Sequence, residues 1–229
     1  MKPPPRIFTG ILTVFALSFA LLAMAPALQL GSLQPAVDED TGDIYPIDVS
    51  GVQAQGRAVY VSQGCVACHT QQVRDPGEGA DIARGWGVRR TVARDYIYEK
   101  PLLLGYMRYG PDLANIGTRK DPDDPYRYTA AWHYMHLYDP RLTSPGSIMP
   151  SYKFLFDKRK IAGQEDADAL KLTGDQAPGP GYEIVPGNQA RALVGFLTNL
   201  DHSHPLKEAG PNIQPPAAKT TGTTGGTAK

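Results

Sequence analysis

From Ile7 to Leu30 the chain runs without one charged side chain, and no other feature limits its folding so severely. In lipid, every backbone N–H and C=O must find its partner inside the segment, so a lone span of this kind has to be helical. At about 1.5 Å per residue, roughly 20 residues cross the hydrocarbon core, and this run is long enough. A cleaved signal peptide is the rival, with an apolar core of about 7–15 residues and a small-residue exit site. Ala23-Met24-Ala25 could serve as that site, but Pro26 follows it and the apolar run is too long. The expectation is therefore an uncleaved anchor over residues 1–30. Lys2 and Arg6 precede the run, whereas Asp38, Glu39, Asp40 and Asp43 follow it. That asymmetry puts the N-terminus in the cytoplasm and everything after Leu30 outside it.

Beyond the anchor, residues 31–49 read as an acidic, turn-rich linker, 50–205 as one folded domain and 206–229 as a disordered tail. From Pro211 onward the chain is mostly Pro, Ala, Thr, Gly and Lys, with Ile213 its one large apolar side chain. Such a composition cannot repay its ordering entropy. Lys and Arg together number 23, as do Asp and Glu, and the resulting zero net charge argues against a general nucleic-acid binder.

Three helices are legible inside the domain. Ser50 is a candidate N-cap for a helix running up to Gly64, and Thr129 for one carrying Trp132, Met135 and Leu137 that Pro140 stops. Ala190, Leu193, Val194, Leu197 and Leu200 make one apolar stripe, predicting a helix over about Asn188–Leu200. The rest is rich in Gly and Pro without sustained alternation. The domain is expected to be mostly α with long loops.

Both cysteines of the chain fall in Cys65-Val66-Ala67-Cys68-His69. Two intervening residues set the thiols at the spacing of the two haem vinyl groups, and the next histidine then sits beneath the iron. This is the c-type haem attachment signature. A thioredoxin-like redox pair would sit in a βαβ pattern, which is not visible. A zinc site would need two further ligands, which His133 and His136 could supply.

With His69 as one axial ligand, a side chain in the sixth position would close the iron to substrate and make the domain an electron carrier. Met149 lies in Pro145-Gly146-Ser147-Ile148-Met149-Pro150-Ser151-Tyr152, a loop stiffened by prolines on both sides, and is a pre-positioned soft ligand. His133 or His136 is the alternative, giving a bis-histidine haem. Met135, on a predicted helix, reads as a core residue. Gly110-Pro111-Asp112-Leu113 is a turn whose carbonyl could fix the His69 ring, because iron-bound histidines commonly donate their second N–H. Between His69 and Gly110 lies an insertion with Arg74, Arg84, Arg89, Arg90 and Arg94. These either neutralise haem propionates, meet a partner, or form a solvated basic loop. Trp86, Tyr96 and Tyr98 in the same stretch argue against a purely flexible one.

Taken together, Gly64–His69, the Gly110–Leu113 turn and Met149-Pro150 resemble a class I cytochrome c. The chain more specifically resembles the membrane-anchored monohaem subunit (subunit II) of cbb3-type cytochrome c oxidases. That resemblance rests on His69-Thr70-Gln71-Gln72-Val73-Arg74, Tyr98-Glu99-Lys100-Pro101, Arg108–Leu113, Trp132–Arg141 and Ser147–Pro150. It implies one covalent haem c on Cys65 and Cys68, iron ligation by His69 and Met149, and a Pro111 carbonyl accepting from the haem histidine. It also implies a chain that is not an enzyme by itself. Such a chain relays electrons to a haem-copper catalytic subunit, beside other cytochrome subunits, from the periplasmic face of the inner membrane. The monohaem subunit of nitric oxide reductase, a free-standing tethered carrier and an open-site haem enzyme such as a peroxidase are the competing readings. The segment Lys158–Pro186 is expected to be extra loop.

Overall fold

A computed structural model describes residues 5–38, 42–121 and 123–213. Helix outweighs strand, 37% against 7%, in keeping with a mostly α chain. The described chain falls into two compact units, one comprising residues up to Asp48 together with Val92–Lys100, the other Val49–Thr91 together with Pro101 onward.

In the first unit, α1 (Arg6–Phe19) and α2 (Ala25–Leu30) are joined by a π-helical turn, Ala20–Met24. Ala25 donates back five residues to the Ala20 carbonyl, and this register shift falls immediately before Pro26, whose missing N–H and bulky ring an unbroken α-helix would not accommodate. Ile7, Phe8, Leu12, Phe15, Leu22 and Leu28 are all exposed, and Arg6–Leu30 is long and apolar enough to cross a membrane. The segment expected as a linker carries a short antiparallel pair, β1 (Ala36–Val37) with β2 (Ile44–Tyr45). Part of the insertion also belongs to this unit, where the Tyr45 hydroxyl donates to Asp95 Oδ1 at 2.7 Å and Arg94 donates to the Gln34 carbonyl. The acidic pair Glu39-Asp40 and the expected tail beyond Ile213 lie outside the described residues.

The second unit is built on the crossing of α3 (Gly51–Ser62) and α5 (Asn188–Leu197). Gly56 makes the crossing possible, since a Cβ there would meet the Ala192 carbonyl oxygen at 1.9 Å. Tyr60, Ala190, Leu193 and Val194 are buried around it, and the Tyr60 and Phe196 rings meet at 5.7 Å. Ser50 occupies the N-cap of α3 without a side-chain cap bond. By contrast, α4 (Ala130–Tyr138) is capped by Thr129, whose hydroxyl accepts from the Trp132 N–H at 3.3 Å. α4 ends before Pro140, which opens a short 3-10 turn. α5 stops three residues before Leu200. Thr198 Oγ1 and Asn199 Nδ2 donate to the Val194 and Gly195 carbonyls at 2.8 Å each, and the Gly117 N–H takes the Leu200 carbonyl at 3.0 Å. Side chains and a neighbouring turn thus satisfy the helix end.

The expectation of extra loop over Lys158–Pro186 holds for its middle but not for its two ends. β3 (Phe156–Lys160) pairs antiparallel with β4 (Tyr182–Pro186), with Lys158 opposite Ile184. The pair shows no alternation because β3 is exposed after Phe156 whereas β4 is buried after Tyr182. Glu183, buried on β4, is satisfied by Arg159 Nε at 2.8 Å and the Asp166 N–H at 2.7 Å. Nor does the chain loosen at residue 206. Leu206 is buried, Arg90 donates to the Glu208 carbonyl at 2.6 Å, and the Ile213 N–H reaches the Val88 carbonyl.

Candidate haem site

Gly64 ends α3 in the left-handed conformation (φ 72°) that glycine adopts freely. The chain then tightens into a 3-10 turn, Cys65–Ala67, in which the Cys68 and His69 N–H groups both donate to the Cys65 carbonyl, at 3.2 and 3.0 Å. Both thiols are free, Cys65 half-buried and Cys68 exposed. Burial pushes the Cys65 thiol up to about 11, opposite to the lowered thiol of a redox Cys-X-X-Cys pair. Among the described residues no three His, Cys, Asp or Glu side chains gather as a metal-ion site, so His133 and His136 do not complete a zinc set with the cysteines.

His69 Nδ1 lies 2.8 Å from the Pro111 carbonyl oxygen. That carbonyl accepts the Nδ1 proton, which fixes the ring and leaves Nε2 as the nitrogen available to a metal. Burial holds the His69 pKa below its usual value, against the opposing pull of Pro111 and Asp112. The returning chain delivers Pro111 by running beside the motif. Tyr106 N–H donates to Val66, Gly110 N–H to Cys68 and Leu113 N–H to Thr70, while Gln71 N–H donates to Leu104, all within 2.8–3.2 Å. Two glycines permit that approach. A Cβ on Gly110 would lie 2.2 Å from His69 Cε1, and one on Gly105 (φ 88°) would lie 2.5 Å from the His69 carbonyl oxygen. Gly105 is the residue sequence reasoning missed here, since nothing marks it apart from its being a glycine.

Met149 stands half-buried at the edge of the main core, in the same fringe as Cys65, Val66, Met135 and Tyr152. Its loop is tied down from α4 and from the 3-10 turn that follows it. Arg141 donates to the Met149 carbonyl at 3.2 Å and to Ser151 Oγ at 2.6 Å, and the Tyr152 N–H reaches the Leu137 carbonyl at 2.8 Å. Tyr152, three residues on, has its phenol pushed up to about 12, by burial first and then by the two cysteines. The methionine loop and the cysteine motif therefore share one neighbourhood. His136 enters it too, its imidazole stacked on Trp132 at 4.6 Å and its Nδ1 2.6 Å from Thr143 Oγ1. Burial lowers His133 and His136 to about 4 each, and His69 adds to the effect on His136. His133 Nε2 and two donors of Arg119, all buried, have no partner among the described residues. Free thiols, an available imidazole nitrogen and unpartnered buried donors together suit a flat, largely apolar ligand that carries an iron and anionic groups.

The insertion arginines have other work. Arg74 grips Asp81 through Nη2 at 2.9 Å and Nε at 3.1 Å, and Arg108 binds the same carboxylate. Burial alone would raise Asp81, but the bonds from Arg74 and Arg108 outweigh it and hold the carboxyl well below the usual range. Arg89 donates to the His204 carbonyl at 2.7 Å, and Arg84 lies over the Trp86 ring at 5.0 Å. Tyr96 is buried and Tyr98 exposed.

A family model described as cytochrome c oxidase, mono-heme subunit/FixO matches residues 4–182, more than three quarters of the chain. The chain belongs to this family. Membership in the mono-haem oxidase subunit family agrees with the resemblance to cbb3-type oxidases carried by the motifs. It makes the chain a one-haem electron-transfer subunit of a cytochrome c oxidase-type complex, with other oxidase subunits as partners. The N-terminal apolar helix fits a single-pass member of that membrane complex. No curated protein matches the sequence. The family match ends at Tyr182, so nearly all of β4 and the whole of α5 lie beyond it.

Proposed function

We propose that the chain carries one haem c, bound by thioethers to Cys65 and Cys68, and relays single electrons to the haem-copper subunit that reduces oxygen to water. The observation that carries this reading is the His69–Pro111 hydrogen bond at 2.8 Å, which holds the histidine of a Cys-X-X-Cys-His motif with one nitrogen committed and the other available. The domain would then be a class I cytochrome c fold, enlarged by the insertion and the β3–β4 hairpin and preceded by a membrane anchor. The charge asymmetry around the N-terminal apolar helix supports an extracytoplasmic face for it.

Haem c, when bound, supplies a one-electron couple at its iron. Around it the protein's own residues do three things. Cys65 and Cys68 hold the group through chain motion, and Pro111 keeps the His69 ring oriented and its tautomer fixed. Met149, on its proline-framed loop, would hold the iron and leave no open site for oxygen, and a thioether there would favour a high potential. The chain on its own is therefore a conductor and not a catalyst.

Replacing Met149 by Ala should abolish the weak far-red methionine-to-iron charge-transfer band, and its survival would contradict the ligand assignment. For the relay itself, the complex is purified in mild detergent and the reduced haem of this chain is mixed with oxygen. Rapid reoxidation is expected only with the haem-copper subunit present. Oxygen consumption or carbon monoxide binding by the isolated chain would refute it.

A further inference from the structure

A buried cation without a counter-ion is costly, and in the second unit Arg119 keeps two buried donors unpartnered among the described residues. Arg119 rides on the turn that follows Gly110–Leu113, and that turn is fixed from several sides. The Arg119 N–H donates to the Asn115 carbonyl at 3.0 Å, and the Gly117 N–H donates to Leu200 at 3.0 Å. Gly117 approaches so closely that a Cβ would lie 2.4 Å from the Thr198 carbonyl oxygen. The Asn115 side chain donates to the Trp86 carbonyl at 3.0 Å and accepts from the His202 N–H at 2.8 Å.

The guanidinium held there is only partly satisfied. Nη2 donates to the Asp112 carbonyl at 2.7 Å, and Tyr128 bonds the side chain as well. Nε and Nη1, both buried, have no partner among the described residues, and the same is true of Arg127 Nε and His133 Nε2. His133 itself is only 5% exposed. Tyr128 stands between the two guanidiniums, 5.6 Å from Arg119 and 5.2 Å from Arg127. It does so with φ 67°, a conformation that a bulky residue adopts only where its surroundings dictate it. Among the described residues, the carboxylates of Asp112 and Asp121 bond other groups and not Arg119. Asp112 spends its oxygens on Thr70 Oγ1, Gln72 N–H and Ala114 N–H, at 2.6, 2.8 and 2.9 Å. Asp121 is engaged by Arg127 Nη1 at 2.8 Å. The Asp112 carbonyl that Arg119 bonds at 2.7 Å belongs to the residue next to Pro111, whose carbonyl holds His69 at 2.8 Å.

We propose that Arg119, with Arg127 and His133 beside it, binds the propionate carboxylates of the haem. This rests on the haem c reading above and adds which cations meet its anionic edge. Arginine suits the task because its guanidinium stays charged and donates several directed hydrogen bonds.

The test uses the full-length, haem-loaded protein. Covalent haem is quantified, and the reduction midpoint is measured for the wild type, Arg119→Gln, Arg119→Lys and the control Arg84→Gln. With Arg119→Gln the propionate charge is no longer offset and the oxidised iron is favoured. The oxidised-to-reduced ratio at fixed ambient potential is expected to rise about tenfold, equal to a fall of about 59 mV for a one-electron couple. Arg119→Lys should recover most of that shift, and Arg84→Gln should match the wild type. A fully loaded Arg119→Gln protein with the wild-type midpoint overturns the proposal. A wild-type chain without covalent haem overturns the haem c reading instead. Should Arg119→Gln fail to accumulate, the wild type still decides through its redox infrared difference spectrum, with haem labelled by 13C at the propionate carboxyls. Ionised carboxylate bands alone, from about pH 5 to 8, are expected, whereas a protonated carboxyl band in that range overturns it.

Discussion

Two clusters of arginine in the second unit meet opposite fates. In the insertion, Arg74 and Arg108 converge on Asp81, whose side chain is fully buried, and Arg84 lies on Trp86. Around the haem motif, Arg119, Arg127 and His133 keep buried nitrogens that no described group answers. Counting arginines along the chain left the insertion open as an anion-binding region or a solvated basic loop. The structure shows that a cation's role is decided by what its own fold leaves unpaired. Arg74 and Arg108 are tied to Asp81 inside the insertion, whereas the unpartnered guanidinium nitrogens belong to the segment after the Gly-Pro turn.

The largest effect expected of any change that blurs this contrast belongs to Gly110→Val. A Cβ there would collide with the His69 ring at 2.2 Å and break the Pro111 bond. Haem-loaded protein should fall about 10–100-fold, the range found when a partner that orients a metal ligand is lost. Haem absorbance per chain measures it.

Asp81→Ala sharpens the contrast from the other side. Removing the shared carboxylate should cost about 3 kcal/mol, roughly 6–12 °C in melting temperature for a chain of this size. The absorption spectrum of the haem should stay unchanged. A spectral change without loss of stability would merge the two clusters into one.

The acid limb of stability comes next. His133 titrates near 4 in the folded chain against an ordinary value of 6.5, because burial disfavours its charged form. As pH falls through 6.5 the unfolded chain takes up the proton first, so stability is lost between 6.5 and about 4 and is flat below. Melting temperature followed over that window should decline less steeply in His133→Phe than in the wild type. The smallest effect is Thr129→Ala, which removes the cap of the helix carrying His133 and His136. About 1 kcal/mol is expected, or roughly 2–4 °C in melting temperature.

The N-terminal apolar helix, the three helices of the second unit and the cysteine motif were legible because each rests on a local rule: an uncharged run, a spacing of apolar residues, a fixed pentapeptide. The β3–β4 pair was not, because Phe156–Lys160 offers one apolar residue and Glu183 sits among buried ones with its partners 17 and 24 residues away. Arg119 was not singled out for a similar reason. Its significance depends on Asp112 being engaged elsewhere and on Gly117 docking at the end of α5, both of which are tertiary facts. Pro111 was legible as a carbonyl in a stiff turn, whereas the room that Gly105 and Gly110 provide became visible only with the His69 ring in place.

The central claim is that Cys65 and Cys68 hold a single haem with His69 beneath its iron. Its most direct test is the intact mass of the full-length chain, purified after maturation in an oxidising compartment and measured under denaturing conditions. The expected result is the chain plus one haem, with neither cysteine open to alkylation. A mass equal to the chain alone, with two alkylatable thiols, would contradict it.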